Sequence, residues 1–568
     1  MHRAYIQSGM SDSASRWRQS ARERSCAVAL ILLISSFFPL INAAAASGGQ
    51  SVSLSSSSSA VVVPATQTVT LTSTGNAPAT LSVQFAPTSA DAVTGQLSII
   101  SNLWTNGTAL TNLSAKANSS FANVSIAMTP GAAIPATFMG LSHEWGSAQA
   151  MMGDSTTGVD KIYRQLLKNL TAYGSGPLYL RIGGLSTDRS GEPTSTTTQP
   201  FAELANALGV HFSLGVNLAS ANVNLAVDQA RAYVRQMPAG SLDAIEIGNE
   251  PDDYADEGLR PAPYTFQKYL AEFNKWKTNI MDLLPSDTKL MGPSWACACH
   301  LTNAQPFDSA EAKVLGPFSE HYYLANGSAS NADDLLLTPG AATAGANAVA
   351  TAVATAHQYG IPFRMGEMNS LYNGGKAGIS NTFQSALWAI DTMFEYVNAG
   401  VDGVNWQGVA DNGAHYNPFY IKTGLSAGIR TYTLVTVHPI YVGYVFFQQA
   451  TGKSAHLLPV TMSTHANLKA WATMDASHTP RLELINKDRS STGTVDVTLS
   501  GYNHAQIYRL TAPSYQSTTR VTFAGQTFDG SKNGVIQGTQ TVESVDVSNG
   551  VFQIPMPITS AALVVFTK

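Results

Sequence analysis

From Phe121 to Tyr432 short apolar runs alternate with longer segments whose apolar residues recur every three or four positions. The short runs read as strands and the longer ones as amphipathic helices, the signature of a parallel sheet with crossover helices. Eight strands are expected: TFMGLSHEW from Thr137, PLYLRIGG from Pro177, HFSLGVNL from His211, AIEIGNE from Ala244, KLMGPSWA from Lys289, SEHYY from Ser319, PFRMGEMN from Pro362 and DGVNWQG from Asp402. Helical spacing fills Val159 to Tyr173, Val223 to Gln236, Tyr264 to Leu284, Ala341 to Tyr359 and Asn381 to Ala399, with a last helix over Leu434 to Gln449. Eight such repeats predict an α/β fold, a (β/α)8 TIM barrel over 121–432 with its working loops at the strand C-termini. A doubly wound open sheet is the alternative, but no Gly-rich phosphate loop follows a first strand.

The flanks have another rhythm. Residues 433–568 are rich in Val, Thr and Ser between Gly, Asn and Asp turns, as in RLELINKD, GTVDVTLSGY and SAALVVFTK, which predicts a C-terminal β-sandwich with its last strand tucked in. Over 60–117 alternation at Thr66 to Thr72, broken by Thr74-Gly75-Asn76, predicts a small N-terminal β-sandwich. With TGQLSIISN and LTNLSAKA it resembles the immunoglobulin-like modules attached to exported bacterial proteins, which implies a spacer or adhesive module. The Gly/Ser-rich stretch 47–59 reads as a flexible linker. Arg16, Arg18, Arg22 and Arg24 precede the apolar run Cys26 to Ile41 and the alanines 43–46, so 1–46 reads as a secretory signal peptide. The location expected is secreted, periplasmic or on the cell surface, with no membrane span once the signal is removed.

Composition narrows the partners. Of 568 residues 44% are apolar and 12% charged, with a net charge of −5. No Lys/Arg cluster follows the first 24 residues, which argues against a nucleic-acid partner. A monomer is expected. Cys297 and Cys299, at i and i+2 in SWACACH, sit near the Cα limit for a mutual disulfide on an extended chain and are read as unpaired thiols. With His300 beside them a metal is conceivable, but no further ligands present themselves, so neither metal nor cofactor is expected.

Candidate chemistry concentrates at two strand tips. In AIEIGNEPD, Gly248, Asn249 and Pro251 end an apolar strand and leave Glu250 at its C-terminal end. In FRMGEMNS, Glu367 ends another behind Gly366. On the barrel assignment these are strands four and seven, so the two carboxylates converge on one cleft. Such a pair suits glycosidic-bond hydrolysis, with retention if the carboxyl groups lie about 5–5.5 Å apart. Asn249 would set an amide beside the sugar ring at the 2-hydroxyl.

IGNEPD together with FRMGEMNSLYNGG is similar to the large clan of retaining glycosidases with acid/base on strand four and nucleophile on strand seven. RIGGLSTD, EHYY and the tyrosine five residues beyond the second glutamate resemble glycoside hydrolase family 79, the β-glucuronidase and heparanase family, over 121–568. The resemblance implies Glu250 as acid/base and Glu367 as nucleophile. It also implies Asn249 on the 2-hydroxyl, Tyr323 bonded to the nucleophile, Tyr372 with His415 and Tyr416 at the sugar carboxylate, and Glu144 at the far hydroxyls. Leu185 departs from the pattern, standing where family members carry a polar side chain. Trp406 is expected to floor the pocket, and Arg181 reads equally as a structural ion-pair partner or a catalytic group. The implied substrate is a glycan with terminal glucuronic acid, cleaved by double displacement. The alternatives are a xylosidase or glucosidase of the same clan, an endo-β-glucuronidase, and a non-catalytic glycan-binding or adhesion protein.

Overall fold

A computed structural model describes residues 121–191, 193, 195–408 and 413–568, together with the backbone of four strands nearer the N-terminus. The chain divides into two compact units, Met1–Ser119 and Ser120–Lys568. In the first, Val52–Ser58 pairs in parallel with Ala79–Phe85, and Ala92–Ile100 pairs antiparallel with Thr108–Lys116. The expected signal segment and the strand over 66–72 lie outside the described residues, and Val52–Ser58 is a strand within the stretch read as linker.

In the second unit eight parallel strands close into a barrel. They are β1 Met139–Glu144, β2 Tyr179–Gly183, β3 His211–Val216, β4 Leu242–Ile247, β5 Lys289–Trp295, β6 Leu315–Asn326, β7 Phe363–Tyr372 and β8 Gly403–Gln407. Each neighbours the next in sequence, and β8 pairs with β1. All eight are the strands expected. The helices Lys161–Leu170, Val223–Gln236, Phe266–Ile280, Thr343–Gln358 and Phe383–Asn398 fall on the amphipathic segments. Three start at side-chain caps, Asp160, Asn222 and Thr265, which accept from otherwise unpaired backbone N–H groups of the first turn. Three helices were not legible: Ser195–Leu208 opens on a Thr run with Pro200 inside, and Trp145–Met151 and Ala304–Glu311 are short.

The last helix runs Pro439–Thr451 instead of from Leu434, because Pro439 takes the first helical position. The preceding β-branched run Ile429–Val437 pairs antiparallel with Phe419–Ser426 in a hairpin. A second boundary moves at the other end. Ala122–Ile126, expected inside the barrel segment, is a sandwich strand between Val460–Thr464 and Gly493–Thr498.

The C-terminal sandwich has that four-stranded sheet and a larger one containing Pro480–Asn486, His504–Thr511 and Ser560–Thr567. On Ser560–Thr567, Ala562, Val564 and Phe566 face the sandwich interior, while Ala561 and Leu563 join the core shared with the barrel. A strand buried on both faces explains why this run is apolar without alternation. Lys487 and Asp391, both fully buried, pair at 2.7 Å between sandwich and barrel helix.

The reading of Cys297 and Cys299 as separate thiols is corrected: they are disulfide-bonded, with Cα atoms 5.2 Å apart. The chain leaves β5 there and turns into the 3-10 segment Ala298–Asn303, which shortens the i to i+2 distance below that of a strand. Among the described residues no helix is long and apolar enough to cross a membrane.

Candidate active site

The site is built at the C-terminal ends of β1, β2, β4, β6 and β7, from a charged floor upward. Arg181, on the inner face of β2, is fully buried. Its Nε donates to both oxygens of Glu246 on β4 (3.0 and 2.9 Å), Nη1 to Ser142 Oγ (3.1 Å) and Glu367 Oε2 (2.8 Å), and Nη2 to Asn249 Oδ1 (2.7 Å). Ser294 Oγ donates to Glu246 Oε1 at 2.6 Å. The guanidinium's desolvation is offset by two carboxylates and a full set of acceptors, so Arg181 is both the structural ion-pair partner and a direct neighbour of Glu367.

Glu367 reaches the cleft through a bulge. His321 on β6 pairs with Glu367 and Glu320 with Met365, so Gly366 is the unpaired extra residue. It turns Glu367 inward three positions after the inward Arg364, which strict alternation forbids. A Cβ on Gly366 would stand 2.2 Å from Ser319 Oγ. Glu367 Oε1 accepts from Tyr323 Oη at 2.7 Å, so with Arg181 on Oε2 both oxygens are held by donors.

Glu250 follows β4 in left-handed backbone, φ 47° and ψ 53°, and caps the 3-10 turn Pro251–Asp253. Such a conformation costs a non-glycine residue about 1–3 kcal/mol and is concentrated at functional sites. It is held by the Glu250 N–H donating to Ser294 O (2.9 Å) and by Asp188. Asp188 Oδ1 accepts from the N–H groups of Leu218 and Ala219, and Oδ2 from Asn249 N–H and Tyr254 Oη, tying together the loops after β2, β3 and β4. Among the described residues the Glu250 side chain has one hydrogen-bond partner, His321 Nδ1, at 2.9 Å. One oxygen of Glu250, one ring nitrogen of His321 and one oxygen of Glu367 all lie within 4.8 Å of one another.

The two glutamates differ electrostatically. Burial pushes the Glu250 carboxyl up to about 8, with the Asp253 carboxylate adding to the rise. Burial also raises Glu367, but the Arg181 guanidinium acts in the opposite direction. Burial drives His321 down to about 4, Arg181 adding to the fall, so its imidazole is neutral.

Around this pair stand most of the residues expected there. Glu144 Oε2 accepts from Ser186 N–H (2.9 Å) and Ser186 Oγ (2.6 Å), and its Oε1 from Gln407 Nε2 (3.3 Å). Its charge raises the carboxyls of both Glu250 and Glu367. Tyr323 packs edge-on to Tyr372 (6.3 Å) and tilted against Tyr416 (6.1 Å), giving a wall of three tyrosines in which Tyr372 is 44% exposed. His415 is exposed and tied through its backbone N–H to Gly374 O (2.7 Å), beside residues 409–412 that lie outside the description. Trp406 is corrected. It is fully buried on the helix side of β8, with ring centroids 5.5 Å from Trp388 and 5.0 Å from Tyr444. On β8 the neighbours Asn405 and Gln407 take the inner face, so Trp406 turns away from the cleft.

Sequence reasoning missed His321, Glu246, Ser142 and Asp188. His321 carried a usable signal, since it stands two residues before Tyr323 and shares its face of β6. Asp188 gave none, because a buried acid looks like any loop aspartate until its donors are placed.

Comparison with known proteins agrees with this architecture. Residues 470–563 match the glycosyl hydrolase family 79 C-terminal beta domain. A β-glucuronidase of Aspergillus niger is 26% identical over 398 residues, covering 62% of this chain and 72% of that protein. A β-glucuronidase of Neurospora crassa is 26% identical over 317 residues, covering 44% of this chain and 55% of that protein. Among solved structures, a 4-O-α-L-rhamnosyl-β-D-glucuronidase of Fusarium oxysporum aligns over 78% of this chain and 100% of its own, with a TM-score of 0.63 and 20% identity. A family 51 arabinofuranosidase of Xanthomonas axonopodis aligns over 79% of this chain and 100% of its own, with a TM-score of 0.58 and 16% identity. At those identities the structural likenesses speak for the fold alone. With a match to the family 79 C-terminal domain near its end and β-glucuronidases among its relatives, the protein is a glycosyl hydrolase similar to those of family 79.

Proposed function

We propose that this protein is an exported retaining β-glucuronidase that removes β-linked glucuronic acid, or its 4-O-methyl form, from glycans by double displacement. The observation that carries the mechanism is the pair of glutamates whose oxygens approach within 4.8 Å while their partners differ. That approach suits direct attack by one carboxylate and leaves no room for a water between them, as inversion would need. Glu367, held on both oxygens by Arg181 and Tyr323, is the ionised nucleophile. Glu250, with a carboxyl pushed up to about 8, is the protonated acid at neutral pH.

In the first step Glu250 gives its proton to the glycosidic oxygen as that oxygen leaves the anomeric carbon, and Glu367 bonds to the same carbon. Esterification removes the charge of Glu367, and the Glu250 carboxyl falls with the loss of a negative neighbour. It is then a base. It takes a proton from water as the water oxygen attacks the anomeric carbon and Glu367 departs, and two inversions give net retention. Asn249, fixed by Arg181, is suited to the 2-hydroxyl, and Glu144 with Ser186 and Gln407 to hydroxyls farther along the ring. The β-glucuronidase relatives and the tyrosine wall support the uronic acid as the sugar. The basic, apolar and small-residue order of 1–46 supports export.

The test is release of 4-nitrophenol from the β-glucuronide, β-glucoside and β-xyloside by wild type and Glu367→Ala. Turnover of the glucuronide, lost by several orders of magnitude in the variant, is expected. Turnover of a neutral glycoside alone would overturn the substrate, and no loss in the variant would overturn the nucleophile.

A further inference from the structure

His321 lies wholly buried between the two glutamates, yet it bonds only one of them. Both Glu367 oxygens are already taken by Arg181 and Tyr323, and the partner of His321 Nδ1 is Glu250 Oε1. The other ring nitrogen, Nε2, is buried and, among the described residues, has no hydrogen-bond partner. That asymmetry fixes the tautomer. A proton on Nε2 would bury a donor with nothing to receive it, whereas a bare Nε2 lone pair forfeits less. The imidazolium would need the same orphaned donor and is disfavoured for the same reason. The single proton therefore sits on Nδ1, and the bond runs from His321 Nδ1–H to Glu250 Oε1.

We infer that His321 is the positioning residue that decides which oxygen of Glu250 carries the transferable proton: it fills Oε1 with a donor and reserves the proton for Oε2. This rests on the assignment of Glu250 as acid/base proposed above. A protonated Oε1 would set its O–H against the Nδ1–H, so the acid form of Glu250 is confined to Oε2, the oxygen no protein group holds among the described residues. In the first step the Oε2–H proton passes to the glycosidic oxygen as the C–O bond breaks. The carboxylate left behind keeps the His321 bond, and in the second step Oε2 takes a proton from the attacking water. His321 neither gains nor loses a proton, as a group with a depressed basicity requires.

A residue acting through proton delivery matters most where the leaving group most needs a proton. The experiment measures kcat/KM on β-glucuronides whose leaving groups run from methanol through 4-nitrophenol to 2,4-dinitrophenol, for wild type, His321→Ala, His321→Asn and Glu250→Ala, with thermal melts of each. Asparagine is the conservative variant because its amide can stand where Nδ1–H stood. His321→Ala is expected to lose about 100-fold on the methyl glucuronide and under about 5-fold on the dinitrophenyl one, a share of what general acid catalysis supplies. His321→Asn should recover most of that loss, and Glu250→Ala should show the same trend with a steeper slope. A loss in His321→Ala that is equal across the series, or an asparagine variant no better than alanine although folded, overturns the role of His321. If Glu250→Ala keeps its slope in that case, the two-glutamate reading stands. If Glu250→Ala shows no slope, the acid assignment and the role of His321 fall together.

Discussion

At Glu367 two donors hold the carboxylate oxygens, while at Glu250 one neutral imidazole and nearby acids surround the same functional group. In the proposed mechanism, chemistry identical in the free amino acid is thereby divided into nucleophile and acid. Asp253 is the second cause, after burial, of the raised Glu250 carboxyl, and it stands exposed in the turn just beyond it. The acid form of Glu250 is lost as pH rises through about 8, which sets the basic limb of the kcat/KM profile. Removing a negative neighbour favours the ionised form and lowers that pKa. Asp253→Asn should therefore move the basic limb to lower pH, read from kcat/KM against pH on the 4-nitrophenyl glucuronide. A limb that stays in place or climbs would show that Asp253 does not tune the acid. At this scale the sequence displayed both glutamates, because each follows an apolar run and a glycine, but it hid Asp188 and Glu246, whose roles exist only through donors brought from other strands.

The elements do two kinds of positioning. Regular alternation on β8 sends Asn405 and Gln407 inward and Trp406 outward, and the bulge at Gly366 breaks alternation on β7 to bring Glu367 inward. The misplacement of Trp406 follows from reading an aromatic near a strand tip as a pocket floor without counting its face. Trp406→Phe should accordingly leave KM within about 2-fold. Unfolding in denaturant should show a loss of about 1–3 kcal/mol, as for other truncations of a packed core. A large rise in KM with unchanged stability would return Trp406 to the cleft. The barrel strands were legible because each is an apolar run cut by polar or glycine residues, whereas the helix Ser195–Leu208 was not, since its Thr-rich start with Pro200 carries no helical periodicity.

Across the catalytic unit, barrel and sandwich share one core: Ile485, Leu510, Ala561 and Leu563 of the sandwich join the barrel's buried residues. The chain also begins this unit as a sandwich strand, Ala122–Ile126, before entering the barrel. The architecture was readable from the change of period between 121–432 and 433–568. The exchange of a strand across that boundary was not, because five alternating residues look the same in either sheet. Asp188 ties the loops after β2, β3 and β4 together, and Ser294 on β5 bonds Glu246 on β4 and the backbone of Glu250, a frame that holds the glutamates at the separation the proposed double displacement needs. The most direct measurement of that claim is mass spectrometry of peptides from the enzyme incubated with a 2-deoxy-2-fluoro-β-glucuronyl fluoride, which slows the second displacement more than the first. One sugar per protein, esterified to Glu367, is expected. A label on another carboxylate, or full activity with no label while the first sugar product has the α configuration, would contradict the two-step mechanism.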